Sequence, residues 1–159
     1  MAPPGNDTRP TSDKVRQAVF NALDSAGLID GARVVDLFAG SGAMGIEALS
    51  RGATDCVFVE RDRAALAALR SNLDSLDAGQ RARVVPGDAA TFGPQTVGAD
   101  LVFADPPYRF DGWEALVQSV LAPELLAESD REIPAPAGWE VVRARRYGRT
   151  IITWLHRIA

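Results

Sequence analysis

"RVVDLFAGSGAMGIEALSRG", residues 33–52, changes character in its middle, and that change decides the fold. Residues 33–39 are a short apolar run of strand length, interrupted only by Asp36, whereas residues 43–52 read as a helix closed by Gly52. Between them Gly40-Ser41-Gly42-Ala43-Met44-Gly45 matches G-x-G-x-x-G, a turn that lets the backbone approach a ligand closely. Glu60 ends the next apolar run, 20 residues after Gly40, where a carboxylate suits ribose hydroxyls. A glycine triplet alone can be just a tight turn packed on a sheet. After a strand, before a helix and paired with Glu60, it points to a nucleoside cofactor.

Reading outward, Thr11 or Ser12 caps a helix running to about Ala26, with Val15, Ala18, Val19, Ala22 and Leu23 on one face and Gly27 as its stop. Downstream come the strand "CVFVE", the amphipathic "RAALAALRSNLDSL", the strands "ARVVP" and "ADLVFA", the helix "GWEALVQSVLA" and a weak strand, "ELLAES". Strands separated by helices imply right-handed crossovers and a parallel sheet covered on both faces. "WEVVRARRYGRTIITWLHRI" breaks the alternation and reads as two strands about a Tyr147-Gly148 turn. The expected fold is α/β: a doubly wound, Rossmann-like, mostly parallel seven-stranded sheet with an antiparallel C-terminal hairpin. Residues 1–11, rich in Pro and Gly, are expected to be extended, and residues 12–159 to form a single domain.

In such sheets ligands bind at the carboxyl ends of the strands. There the fourth strand ends in Asp105-Pro106-Pro107-Tyr108. Prolines stop a strand, yet a turn alone needs neither carboxylate nor ring. An exocyclic amine on a nucleobase is a poor nucleophile because its lone pair is delocalised. The Asp105 carboxylate and the Pro106 carbonyl, held stiffly, supply two acceptors for its N–H bonds, and Tyr108 supplies a stacking face.

Charge discriminates between cofactors. Asp36 lies four residues before the loop. It would repel a dinucleotide's pyrophosphate but welcome the net positive S-adenosylmethionine. Asp88, after Gly87, reads either as an acceptor for adenine's amine or as a helix N-cap, and Ala89 offers an N–H to a ring nitrogen.

The 159 residues, 47% hydrophobic and 24% charged, bound the chain to an ordinary globular domain. No apolar run approaches the roughly 20 residues of a membrane span, and the start lacks the pattern of a signal peptide. One cysteine, Cys56, and one histidine, His156, exclude a disulfide, a Cys/His zinc site and a His-based triad, and no metal is expected. A cytoplasmic protein is inferred. The net charge of −4 does not advertise nucleic-acid binding. "RARRYGR", with Arg145 and Arg146 at its centre, reads either as a phosphate-tracking cluster or as a solvated face.

Together these segments resemble the class I S-adenosylmethionine-dependent methyltransferases, whose amino-group members carry D/N-P-P-Y/F/W after strand four. "TRPTSDKVRQAVFNAL" (residues 8–23) and "VVDLFAGSGAMGIEALSRGA" resemble the two signature blocks of the RsmD family, bacterial methyltransferases of a guanine N2 amine in 16S ribosomal RNA. The family carries a basic, glycine-rich segment ahead of the first block, where this chain has "MAPPGNDTRPT". The resemblance implies that Asp36, Phe38, Gly40, Ser41 and Gly42 line the methionine end of S-adenosylmethionine, that Glu60 holds the ribose, and that Asp88 and Ala89 flank adenine. It also implies that Asp105, Pro106 and Tyr108 address the target amine, while Thr8, Arg9, Pro10 and Thr11 cover the active site. The expected products are S-adenosylhomocysteine and a methylated small subunit or assembly intermediate, with the enzyme a monomer.

Rival readings keep the chemistry but change the target to adenine N6 in DNA or RNA or to a protein glutamine. Others replace it with an NAD-dependent dehydrogenase or a non-catalytic cofactor- or RNA-binding scaffold.

Overall fold

Ser12 opens the first helix as a sequence of its type should: its hydroxyl accepts the Val15 N–H at 3.2 Å. The helix, α1, runs Asp13–Ser25. Gly27, at φ +73°, ends it, with its N–H on the Asp24 carbonyl and the Leu28 N–H on that of Leu23. The computed structural model describes residues 12–158. The expected extended segment, residues 1–11, lies outside the described residues.

The remaining elements alternate as expected. They are β1 (Arg33–Leu37), α2 (Ala43–Ser50), β2 (Asp55–Glu60), α3 (Arg63–Ser75), β3 (Ala82–Pro86), β4 (Leu101–Ala104), α4 (Trp113–Ser119), β5 (Glu124–Ser129), β6 (Trp139–Tyr147) and β7 (Thr150–Arg157). The seven strands lie in the order β3-β2-β1-β4-β5-β7-β6. The pairings among β1 to β5 are parallel, and those of β7 with β5 and β6 antiparallel. Strand order reverses between β1 and β4, which makes their carboxyl ends the place for a ligand.

Each face of the sheet carries its own core. On one, Val19, Phe20 and Leu23 of α1 pack with Phe58, Leu69, Phe103 and Ile152. On the other, Trp113, Leu116 and Val117 of α4 pack with Leu37, Val102, Leu125 and Leu155. Fully burying one such side chain contributes about 1.5–3 kcal/mol. Polar contacts fix α1 against α2. Arg51 bonds Glu47 at 2.8 Å and Asp24 at 2.6 Å, while its guanidinium lies 5.5 Å from the Phe20 ring centroid.

Four details differ from the sequence reading. β5, expected to be weak, is buried along all six residues between β4 and β7. Its first residue, Glu124, accepts from Trp154 Nε1 at 3.1 Å and lies 2.7 Å from His156 Nδ1. The last helix stops at Ser119, because Val120 is extended and the Leu121 N–H turns to Thr96 Oγ1. The hairpin turns on Gly148-Arg149, with Gly148 at φ +63°, one residue later than expected. Finally, β6 carries a register shift between Val141 and Arg143.

Candidate active site

Leu37 and Ala104 are register partners at the ends of β1 and β4. The residues that follow them, Phe38 onward and Asp105 onward, therefore leave the sheet side by side. Phe38 has φ +57°, an uncommon conformation for a bulky residue. It turns the chain out of the strand and sets its ring edge-on to Phe110, centroids 5.4 Å apart, with Phe110 in turn 5.4 Å from Trp113. The Phe38 ring thus forms a half-buried aromatic wall on the α4 side.

The glycine loop is shaped by close contact. A Cβ on Gly45 would lie 2.4 Å from Phe58 Cε1 and 2.7 Å from Cys56 Sγ, so only glycine lets α2 sit this near the sheet. Gly42, at φ +90°, would meet Leu69 Cδ1 at 2.5 Å. At Gly40, by contrast, a Cβ would meet nothing within 4 Å. The loop is tight against the sheet behind and open in front, a cradle that fits a ligand at the strand ends. The Ser41 carbonyl is pinned from behind by Asn72 Nδ2 at 3.0 Å.

Two acids hold this loop. Glu60 Oε1 accepts the Gly40 N–H at 2.8 Å, while Oε2 accepts from Arg61 and Asp62 at 3.1 and 2.9 Å. Asp36 is 2% exposed, and its Oδ2 accepts the Gly45 N–H at 3.0 Å. Burial pushes its carboxyl up to about 8; the Gly45 bond pulls the other way, and the charge of Glu60 adds to the rise. At neutral pH Asp36 is therefore mostly protonated. In that form Asp36 carries no net charge to set against a pyrophosphate, so it does not discriminate between the two cofactors. Its visible work is to fix the N-terminus of α2.

At the end of β3, Asp88 is exposed and accepts from the Ala90 N–H at 3.0 Å, so its N-cap role is realised, and Ala89 is buried beside it.

On the β4 side, Asp105 is half-buried and Pro106 buried. The Tyr108 hydroxyl lies 2.9 Å from Thr150 Oγ1, and its carbonyl accepts from Arg131 Nη2 at 2.7 Å. Next to Asp105 a crevice of about 250 Å³ opens toward α1, lined by Val19, Met44, Leu126, Ile152 and Glu128 among others. Glu128, the next-to-last residue of β5, stands beside the position that Asp105 takes after β4, and is 6% exposed. Sequence reading passed over Glu128, Thr150 and Arg131. The only signal for Glu128 was an acid closing an apolar strand.

The structure thus brings Asp36, Phe38, Gly40, Ser41, Gly42, Glu60, Asp105, Pro106 and Tyr108 to one end of the sheet, with Asp88 and Ala89 beyond β2. Arg145 and Arg146 sit exposed near the hairpin turn, on opposite faces of β6. Thr8, Arg9, Pro10 and Thr11 lie outside the described residues. Among the described residues no group of three or more acids, cysteines or histidines could hold a metal ion.

Comparison with known proteins adds independent findings. The family model described as "Conserved hypothetical protein 95" matches residues 1–156. A Bacillus subtilis protein named "Putative rRNA methyltransferase YlbH" is 38% identical over 160 residues, covering 92% of this chain and 86% of its own. The Escherichia coli protein "Ribosomal RNA small subunit methyltransferase D" is 40% identical over 152 residues, covering 89% of this chain and 75% of its own. Among solved structures, "Putative methyltransferase yhhF" of Escherichia coli superposes with a TM-score of 0.83 at 38% identity, covering 98% of this chain and 91% of its own.

Proposed function

This chain belongs to the family described as Conserved hypothetical protein 95, and from that premise we propose that it transfers a methyl group from S-adenosylmethionine to the N2 amine of a guanine in 16S ribosomal RNA. The relatives named as ribosomal RNA methyltransferases support the reaction and its RNA. The observation that carries it in the structure is the pairing of the loop cradle with Asp105-Pro106-Pro107-Tyr108 across adjacent strand ends.

S-adenosylmethionine bound over the loop supplies an electrophilic methyl carbon on a cationic sulfur. The open front of Gly40 fits such a ligand, and Gly42, Ser41 and the backbone at Phe38 hold its methionine end. Glu60 keeps about one acceptor position for a ribose hydroxyl beyond the three N–H groups it already accepts, since a carboxylate offers about four. Asp88 and Ala89 flank the adenine.

The target base enters beside Tyr108, which stacks on it. Asp105 and the Pro106 carbonyl accept its amine hydrogens and orient the lone pair; rate comes from this alignment more than from proton removal. The guanine target rests on the resemblance of residues 8–23 and 34–53 to the RsmD signature blocks. The resemblance assigns Thr8, Arg9, Pro10 and Thr11, which lie outside the described residues, to the cover of the site, and Arg145 of the hairpin meets the RNA backbone.

The substrate is the small subunit or an assembly intermediate, met by a monomer in the cytoplasm; among the described residues no helix is long and apolar enough to cross a membrane. Mass spectrometry of 16S RNA from cells with and without the gene tests the proposal. Loss of one N2-methylguanosine is expected; an unchanged methylation pattern would overturn it.

A further inference from the structure

The turn of the β6–β7 hairpin stands at the same end of the sheet as Asp105, because β7 runs antiparallel to β5 and begins beside Ser129. Regular alternation from Trp139 would put Val141, Arg143 and Arg145 on one face. The pairing instead runs from Val141 with Leu155 directly to Arg143 with Trp154, so Val142 is an extra residue that reverses the faces beyond it. Cross-strand partners share a face. Arg143 therefore lies with Trp154, Arg145 with Ile152 and Tyr147 with Thr150, on the α1 side of the sheet. Ala144 and Arg146 lie on the other side.

Thr150, at the head of this row, is the residue whose hydroxyl meets that of Tyr108. Arg143 and Arg145 are exposed, and neither enters an ion pair among the described residues. The acids that β5 and β6 place on this face form no ion pair with either arginine. Glu128 is buried at 6% exposure, one strand beyond Ile152; Glu124 is engaged by Trp154 Nε1 and His156 Nδ1; Glu140, opposite His156, is the neighbour of Arg143 at the start of the row. Alternate residues along a strand are about 7 Å apart. The row is a line of positive charge leading to the aromatic residue at the reacting end.

We propose that this face of β6, from Arg143 through Arg145 to Tyr147 and Tyr108, is the track for the RNA backbone flanking the target base, and that Arg146 lies off it. The proposal rests on the methyltransferase reading and adds which face of the hairpin the RNA follows. A polyanion is the occupant that charge complementarity favours.

The test measures binding to small subunits from cells lacking the gene, as a function of salt, for the wild type, Arg143→Gln/Arg145→Gln and Arg146→Gln. Each phosphate contact contributes about 0.7–0.9 to the slope of log affinity against log salt. The double variant should lose about 1.4–1.8 in slope, and Arg146→Gln less than half of one contact. S-adenosylmethionine affinity, read by calorimetry, should be unchanged in all three and shows that they are folded. A slope loss of a full contact or more in Arg146→Gln, or an unaltered slope in the double variant, would overturn the track while leaving the reaction standing. The unaltered slope is also what a protein strand pairing with the β6 edge would give, since backbone pairing is indifferent to these side chains. If the wild type methylates no such subunit, the parent reading fails, and the track with it.

Discussion

Glu60 Oε1 accepts the Gly40 N–H at 2.8 Å, so the acid that ends β2 clamps the loop that follows β1. With its other oxygen on Arg61 and Asp62, Glu60 is a structural brace as well as the proposed ribose acceptor. Glu60→Ala should weaken S-adenosylmethionine by about 1–3 kcal/mol and also lower the melting temperature, by about 2–4 °C for each kcal/mol lost. Glu60→Gln, which keeps one acceptor oxygen, should fall between. Calorimetry and thermal melts measure both effects; a lowered melting temperature with unchanged affinity would show that the ribose is held elsewhere.

Asp105 makes a contrasting case. It follows β4, on the side where the target amine is proposed to enter, so its removal should affect that amine and spare the cofactor. Asp105→Ala is expected to abolish methyl transfer while S-adenosylmethionine affinity stays within about threefold, less than ~0.7 kcal/mol. A comparable loss of cofactor affinity would show that Asp105 holds the wrong ligand for its assigned role.

Asp36 gives the protein a pH dependence whose sign follows from its surroundings. Burial raises the folded-state value from 3.8 to about 8. Between those values the unfolded chain releases this proton while the folded chain keeps it. The contribution is therefore fully present below about pH 4 and is lost as pH rises toward 8, by up to about 5 kcal/mol. Asp36→Asn keeps an oxygen for the Gly45 N–H and cannot ionise. Its stability relative to wild type should rise steadily from pH 4 to 8 in denaturant titrations. A constant difference across that range would mean Asp36 is charged in the folded protein.

The parts of this architecture visible in the sequence are those set by local burial. The apolar runs around Asp36 and ahead of Asp105 fix β1 and β4 because both faces of those strands are covered. Gly40, Gly42 and Gly45 mark the loop because a side chain would be strained at the first, at φ +59°, and would collide at the last two. What escaped depends on partners far along the chain. β5 read as weak because acids stand at Glu124 and Glu128, yet Glu124 is satisfied by Trp154 and His156 from β7. The extra residue at Val142 carries no signal in alternating composition, so nothing in "RARRYGR" told which arginines share a face. Asp36 looked like a standing charge because its burial is a property of the packed sheet.

The contact between Tyr108 and Thr150, 42 residues apart, supplies the last prediction. Tyr108 follows two prolines whose own φ angles are fixed, Arg131 bonds its carbonyl, and its hydroxyl ties the ring to Thr150. Thr150→Val removes the hydroxyl partner with little change in shape. The ring should then sample more orientations, and kcat should fall about three- to tenfold, the ~0.5–1.5 kcal/mol of a neutral hydrogen bond, with KM changed by less than twofold, under ~0.4 kcal/mol. Thr150→Ser should restore the rate. Tyr108→Phe keeps the stacking face and loses the same bond, so it should match Thr150→Val, and the double variant should be no slower than either single one, as for two halves of one interaction. Thr150 is thus assigned as a positioning residue acting through Tyr108. Multiplicative losses in the double variant, or a full rate in Thr150→Val, would show that the hairpin does not set the ring.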